Sequence, residues 1–194
     1  MNAEHKGAMP AKFNFKPIAD GIEGAYFLRD DSRITSNIYL FEHEGKKLIV
    51  DAGDGRDILP FTPDICFLTH GHFDHVGGVK TGWKEVFIHP SETITSKFAV
   101  IPVNAHPLPS TSFDFGKFHF EIIHTPGHTP GSMCLFETNN SILVSGDTLF
   151  AGGGFGRTDL GGEGAEEKMQ ESLEILSRLD WKILCPGHGE LEFK

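Results

Sequence analysis

An α/β sandwich (α+β in its segregation of strands and helices), two sheets face to face with helices outside, is the fold class that the sequence predicts. Three observations predict it: strand-length apolar runs joined by tight turns in both halves, one strong helical period near the end, and a composition that suits one domain. The chain has 194 residues, 39% hydrophobic and 23% charged. Those values give room for one sizeable core and exclude disordered, collagenous and coiled-coil classes. No repeat, low-complexity tract or linker marks a boundary, so residues 1–194 are expected to form a single domain. An alternating βα barrel would need more residues and more helices.

Residues 24–28, 37–43 and 47–52 gather β-branched and aromatic side chains between polar punctuation, the last two across a Glu44-Gly45 turn, and read as a meander. Residues 64–69 (DICFLT) suit a buried central strand that delivers the chain into a polar, histidine-rich loop. The strand pattern returns at 83–89 and at 113–124, the second folding at Gly116-Lys117. Residues 132–137 and 141–145 flank Asn139-Asn140, a pair suited to the positive φ angles of a primed hairpin turn. The spacing predicts a helix over 165–179, where Met169, Leu173, Leu176 and Leu179 form one apolar stripe and Glu166 and Glu167 favour the helix dipole. Residues 181–185 then read as a last strand ending in Pro-Gly-His-Gly.

Seventeen Lys plus Arg against 27 Asp plus Glu give a formal charge of -10, which opposes a nucleic-acid footprint. The opening residues hold no apolar stretch suited to a signal peptide or membrane span, so a cytoplasmic protein without a membrane partner is the expectation. Cys66, Cys134 and Cys185 cannot all pair and form no CxxC, and they read as small core residues. The oddity is 11 histidines, histidine being the commonest metal ligand among side chains.

Thr69-His70-Gly71-His72-Phe73-Asp74-His75 packs four possible ligands, His70, His72, Asp74 and His75, directly after the buried-looking strand. Zinc and similar ions accept imidazole nitrogen and carboxylate oxygen, and a loop leaving a strand can turn such side chains toward one point. Three further segments share a design in which a strand ends, small residues follow, and one ligand is presented: His128 in TPGHTPGS, Asp147 in SGDT and His188 in PGHG. Glycine lets the backbone approach closely and hold each ligand at a sheet edge. His5, His43, His89, His106, His119 and His124 fit no such spacing and read as surface or core residues.

Through HGHFDH, PGHTPGS, SGDTLF and PGHG in this order, the sequence resembles the metallo-β-lactamase superfamily over nearly its whole length. The resemblance implies an αββα sandwich with its site at one edge of the two sheets. It implies a first metal at His70, His72 and His128, a second at Asp74, His75 and His188, and Asp147 bridging both. Asp51, ending LIVDAG, matches an aspartate that orients a ligand histidine, although an Asp there could simply cap a turn; Asp74 and Asp51 are the carboxylates expected to serve catalysis. The expected cofactors are two divalent ions, zinc first, with iron or manganese as alternatives. They would lower the pKa of water to about 7, giving a bridging hydroxide as nucleophile.

Asp147 argues against a true β-lactamase of this superfamily, and the length and charge argue against its nucleases. GRTD at 156–159 resembles short glyoxalase II-like proteins and also persulfide dioxygenases. Arg157 and Asp159 are expected to brace the loop after Asp147 as a buried pair, a solvated pair being the alternative. The leading reading is a metallo-hydrolase of thioesters, its small-molecule substrate being an S-2-hydroxyacyl glutathione or a related thiol ester. The sequence departs from classical glyoxalase II in lacking the C-terminal helical domain that carries much of the glutathione-binding surface, which leaves the thiol carrier open. The other reading is a persulfide dioxygenase with one iron at His70, His128 and Asp147. Ser32, Ser36 and residues 102–112 are candidates for the substrate mouth.

Overall fold

The structure, a computed structural model, describes residues 14–56 and 59–194; His5 lies outside them. Two sheets carry the chain in sequence order. The first sheet runs β1 (Lys16–Pro17), β2 (Ala25–Leu28), β3 (Ile38–His43), β4 (Lys46–Val50), β5 (Ile65–Leu68), β6 (Val86–Ile88) and β7 (Ala105–Pro107). Its first four strands pair antiparallel and the rest parallel. The second contains β8 (Ser112–Phe115), β9 (Phe118–His124), β10 (Met133–Glu137), β11 (Ile142–Gly146), β12 (Ile183–Pro186) and β13 (Glu192–Phe193). Helix α1 (Phe73–Val76) follows β5, and α2 (Ala165–Ser177) connects the parallel pair β11 and β12.

Alternation along the strands sorts the apolar residues into layers. Tyr39, Phe41, Leu48, Val50 and Phe67 face Phe118, Phe120, Met133, Leu135, Ile142 and Val144, forming the core between the sheets. The opposite faces of the same strands put Leu40, Ile49, Cys66 and Leu68 in an outer cluster with Val76 and Trp83, and Cys134, Leu143 and Leu184 in another with Leu176 and Trp181. Burying a side chain the size of Leu or Phe contributes about 1.5–3 kcal/mol, so these layers dominate stability.

The expected outer helices are unequal. Helix α2 covers the second sheet, whereas among the described residues the first sheet has only the four residues of α1 and irregular chain on its outer face. The α2 stripe also differs from expectation: Ala165, Met169, Ser172 and Leu176 are its buried residues, and Leu173 is only half-buried. Ser172 can take a core position because its hydroxyl donates to the Pro126 carbonyl at 2.7 Å.

Glu44 and Gly45 adopt φ of 48° and 78°, as a two-residue primed turn requires. At the other predicted hairpin turn the positive φ falls on Ser141 (57°) rather than on Asn139 or Asn140. Buried Glu137 accounts for the difference, since its carboxylate accepts the backbone N–H groups of both asparagines and sets a longer loop. Residues 102–112, candidates for the substrate mouth, contain the edge strand β7. Among the described residues no helix is long and apolar enough to cross a membrane.

Candidate metal centre

The residues singled out in the four motifs arrive from both sheets at one edge of the sandwich. His70 leaves the end of β5, and His72, Asp74 and His75 follow on the turn into α1. His128 lies between β9 and β10, Asp147 directly follows β11, and His188 lies two residues after β12. A register shift between Val144 and Gly146 bends β11 just before Asp147.

Three triads bring their ligand atoms within 4.8 Å of one another: His70, His72 and His128; His70, His75 and Asp147; and Asp74, His75 and His188. In the first, His72 Nδ1 lies 3.1 Å from His70 Nε2 and 2.9 Å from His128 Nε2. In the third, His188 Nε2 lies 3.2 Å from Asp74 Oδ2 and 3.3 Å from His75 Nε2. Asp147 stands between the groups, with Oδ1 3.3 Å from His75 Nε2 and Oδ2 3.5 and 3.6 Å from His128 and His188 Nε2.

Hydrogen bonds on the far sides of the rings fix which nitrogen is free. His128 Nδ1 donates to the Arg157 carbonyl at 2.8 Å, and His75 Nδ1 donates to Asp51 Oδ2 at 2.7 Å. Each bond turns the Nε2 of its ring into the cage, the orientation a metal-binding imidazole needs. Asp51 has a φ of 62°, uncommon outside glycine, and turns its carboxylate inward at the end of β4. Its Oδ1 accepts Thr69 N–H at 2.8 Å and its Oδ2 accepts the Thr69 hydroxyl at 2.9 Å, so both oxygens are engaged with protein. Asp51 thus holds the His75 ring with a carboxylate whose two oxygens both accept hydrogen bonds from the protein.

Burial first, and neighbouring imidazoles second, lower the pKa values of His70 and His72, the latter to about 4. Burial likewise lowers that of His128. Burial alone would disfavour ionised His75, Asp74 and Asp147, yet the carboxylates beside His75 raise its pKa well above the ordinary value. Adjacent imidazoles hold Asp74 and Asp147 below the carboxylate range. Neutral His70, His72 and His128 beside ionised Asp74 and Asp147 form a donor set for a divalent ion, which His75 joins on giving up its Nε2 proton. Buried Asp147 Oδ1 has no well-formed hydrogen bond, its ion-pair neighbour His75 Nε2 lying 3.3 Å away, which leaves polar capacity inside the cage.

Several supports were not legible in the motifs. Asn37 N–H donates to the Gly187 carbonyl at 2.7 Å, and the Tyr39 hydroxyl donates to the Pro186 carbonyl at 2.6 Å, which ties β3 to the His188 turn. Gly127, with φ of 143°, lets α2 lie directly on the His128 loop: a Cβ there would stand 2.6 Å from Met169 Cβ. Arg157 and Asp159 do pair, Nε to Oδ1 at 2.6 Å, but both are more than half exposed, so the buried brace expected from the sequence is replaced by a solvated pair. It is the Arg157 carbonyl that supports His128. Ser36 is buried, with its N–H on the Asp74 carbonyl at 2.9 Å, whereas Ser32 caps a turn on Asp30. His89 and His124 stack at 3.8 Å outside the cage.

The sequence model of the metallo-beta-lactamase superfamily matches residues 32–188. The chain belongs to that superfamily. This superfamily member is 32% identical over 183 residues to a probable metallo-hydrolase, YqgX, of Bacillus subtilis (strain 168), a match covering 80% of the chain and 86% of the relative. Among solved structures it is similar to BLEG-1, described as a B3 metallo-beta-lactamase, at 30% identity and a TM-score of 0.66, with 84% and 90% of the two chains covered. It is also similar to TTHA1623, solved in a di-iron-bound form, at 28% identity and a TM-score of 0.67, with 84% and 91% covered. ETHE1 from Myxococcus xanthus, at 23% identity and a TM-score of 0.64 over 87% of this chain and 79% of that one, shares the fold.

Proposed function

We propose that this protein is a dinuclear metallo-hydrolase of small thioesters. The observation that carries the reading is Asp147, whose carboxylate faces both a three-histidine group and the Asp74, His75 and His188 group. His70, His72 and His128 would hold one cation, Asp74, His75 and His188 the other, with Asp147 shared. The relationship to a probable metallo-hydrolase supports this reading, and the di-iron form of TTHA1623 makes iron a candidate beside zinc and manganese.

Two divalent ions, when bound, supply Lewis acidity and acidify a water toward pKa about 7, so that hydrolysis needs no serine or cysteine nucleophile. The protein's own residues hold that centre rigid. Asp51 fixes the His75 ring and the Arg157 carbonyl fixes that of His128, so neither imidazole can rotate away as charge develops. Two carboxylates, Asp74 and Asp147, against two divalent ions leave the centre positive, which favours an anionic thiolate leaving group.

The test is metal-dependent turnover of purified protein on a panel of S-acyl thiols, with a β-lactam and glutathione persulfide as comparators. Two metals per chain and thioester cleavage without oxygen uptake are the expected result. Oxygen consumption on the persulfide with one iron per chain would favour the dioxygenase reading, and turnover of the β-lactam alone would replace the thioester.

A further inference from the structure

Glu92 follows β6 and enters none of the ligand motifs, yet it is only 6% exposed and stands between two ligand loops. Its Oε2 accepts the Thr129 hydroxyl at 2.7 Å and the Gly131 N–H at 3.0 Å, one and three residues beyond His128. The Thr129 hydroxyl is aligned in turn by Ser132 Oγ at 2.9 Å, and that same oxygen accepts Thr129 N–H at 3.0 Å. On its other side the Glu92 side chain packs against Gly71, the residue between His70 and His72. A Cβ on Gly71 would stand 3.1 Å from Oε1 and 3.3 Å from Cγ, and one on Gly131 would stand 2.5 Å from Glu92 Cα and Cβ. The glycines of HGH and TPG thus make room for this carboxylate. Burial raises the Glu92 pKa against the pull of the Thr129 hydroxyl and of the Gly131 and Gly71 backbone N–H groups, which lie on the two loops it joins. Retaining such a group inside the protein is unfavourable unless its geometry is needed.

We propose that Glu92 is a positioning residue that clamps the His70–His72 turn to the His128 loop and so sets the three-histidine half of the cage. Asp51 performs the corresponding task for the other half, through His75. The inference rests on the metal-centre reading above, and it makes the two halves separately adjustable. Loss of Glu92 spreads His70, His72 and His128 while leaving Asp74, His75 and His188 in place.

The experiment is stepwise zinc titration of the metal-free full chain against a chromophoric chelator, with H128A and H188A identifying the two halves. Hydrogen exchange of the metal-free chain is measured alongside. Removing a residue that orients metal ligands weakens affinity about 10–100-fold, so E92A is expected to lose that much at the three-histidine half and at most about threefold at the other. T129V, which removes a single donor with little change of shape, moves the same half in the same direction. E92Q keeps an acceptor for Thr129 and Gly131 while losing that for the Gly71 N–H, and is expected to lie between wild type and E92A. Faster exchange in E92A is expected at residue 71 and residues 129–132. Wild-type affinity and exchange in E92A, equal weakening of both halves, or an E92Q as weak as E92A would overturn the proposal. If the wild-type chain takes up no zinc, the metal-centre reading fails, and the clamp stands or falls on exchange alone.

Discussion

Replacing Asp51 by alanine removes the acceptor of three buried hydrogen bonds at once: Thr69 N–H at 2.8 Å, the Thr69 hydroxyl at 2.9 Å and His75 Nδ1 at 2.7 Å. Each stranded donor costs about 1–3 kcal/mol, and breaking a buried ion pair costs about 3–5 kcal/mol in total, part of which is the same loss counted from the charge side. Alanine must also hold a φ of 62°, which adds about 1–2 kcal/mol. A total near 5 kcal/mol, at about 2–4 °C per kcal/mol for a chain of this size, lowers the unfolding midpoint by roughly 10–20 °C. Asp51→Asn keeps one oxygen for Thr69 and tolerates the φ better, so its loss should be about half as large. The assay is thermal unfolding of the metal-free protein, followed by circular dichroism in the presence of a chelator. A D51A midpoint within about 2 °C of wild type would refute the reasoning, because three orphaned donors cannot be cheap in a dry interior.

Asp159→Asn should leave the unfolding midpoint unchanged in the same assay, since it and Arg157 are both more than half exposed. Gly127→Ala should destabilise the protein and weaken metal uptake together, because the added Cβ meets Met169 at 2.6 Å and pushes α2 off the His128 loop; melting curves and zinc titration read both. Burial raises the thiol pKa values of all three cysteines, that of Cys134 to about 11, so a disulfide reagent at pH 8 should label none of them until denaturant is added.

The candidate ligands were the most legible part of the molecule, because each sits where a strand stops and the chain turns sharply, and glycine and proline write that geometry locally. The strands were legible for a related reason: Tyr39 against Leu40, or Leu135 against Cys134, alternate between two different cores, and period two survives in the sequence. Glu92, Thr69 and Ser172 left no such trace, since each is defined by partners far along the chain or by a neighbour's missing side chain. The Arg157–Asp159 pair misled for the converse reason. Residue types announce an ion pair, but only the fold decides whether water reaches it.

Four of the seven candidate ligands hang from the first sheet and three from the second. Each of the three triads draws on both sheets, so a cation held there would span the phenylalanine-rich seam between them. A bound ion would act as a rivet through that joint.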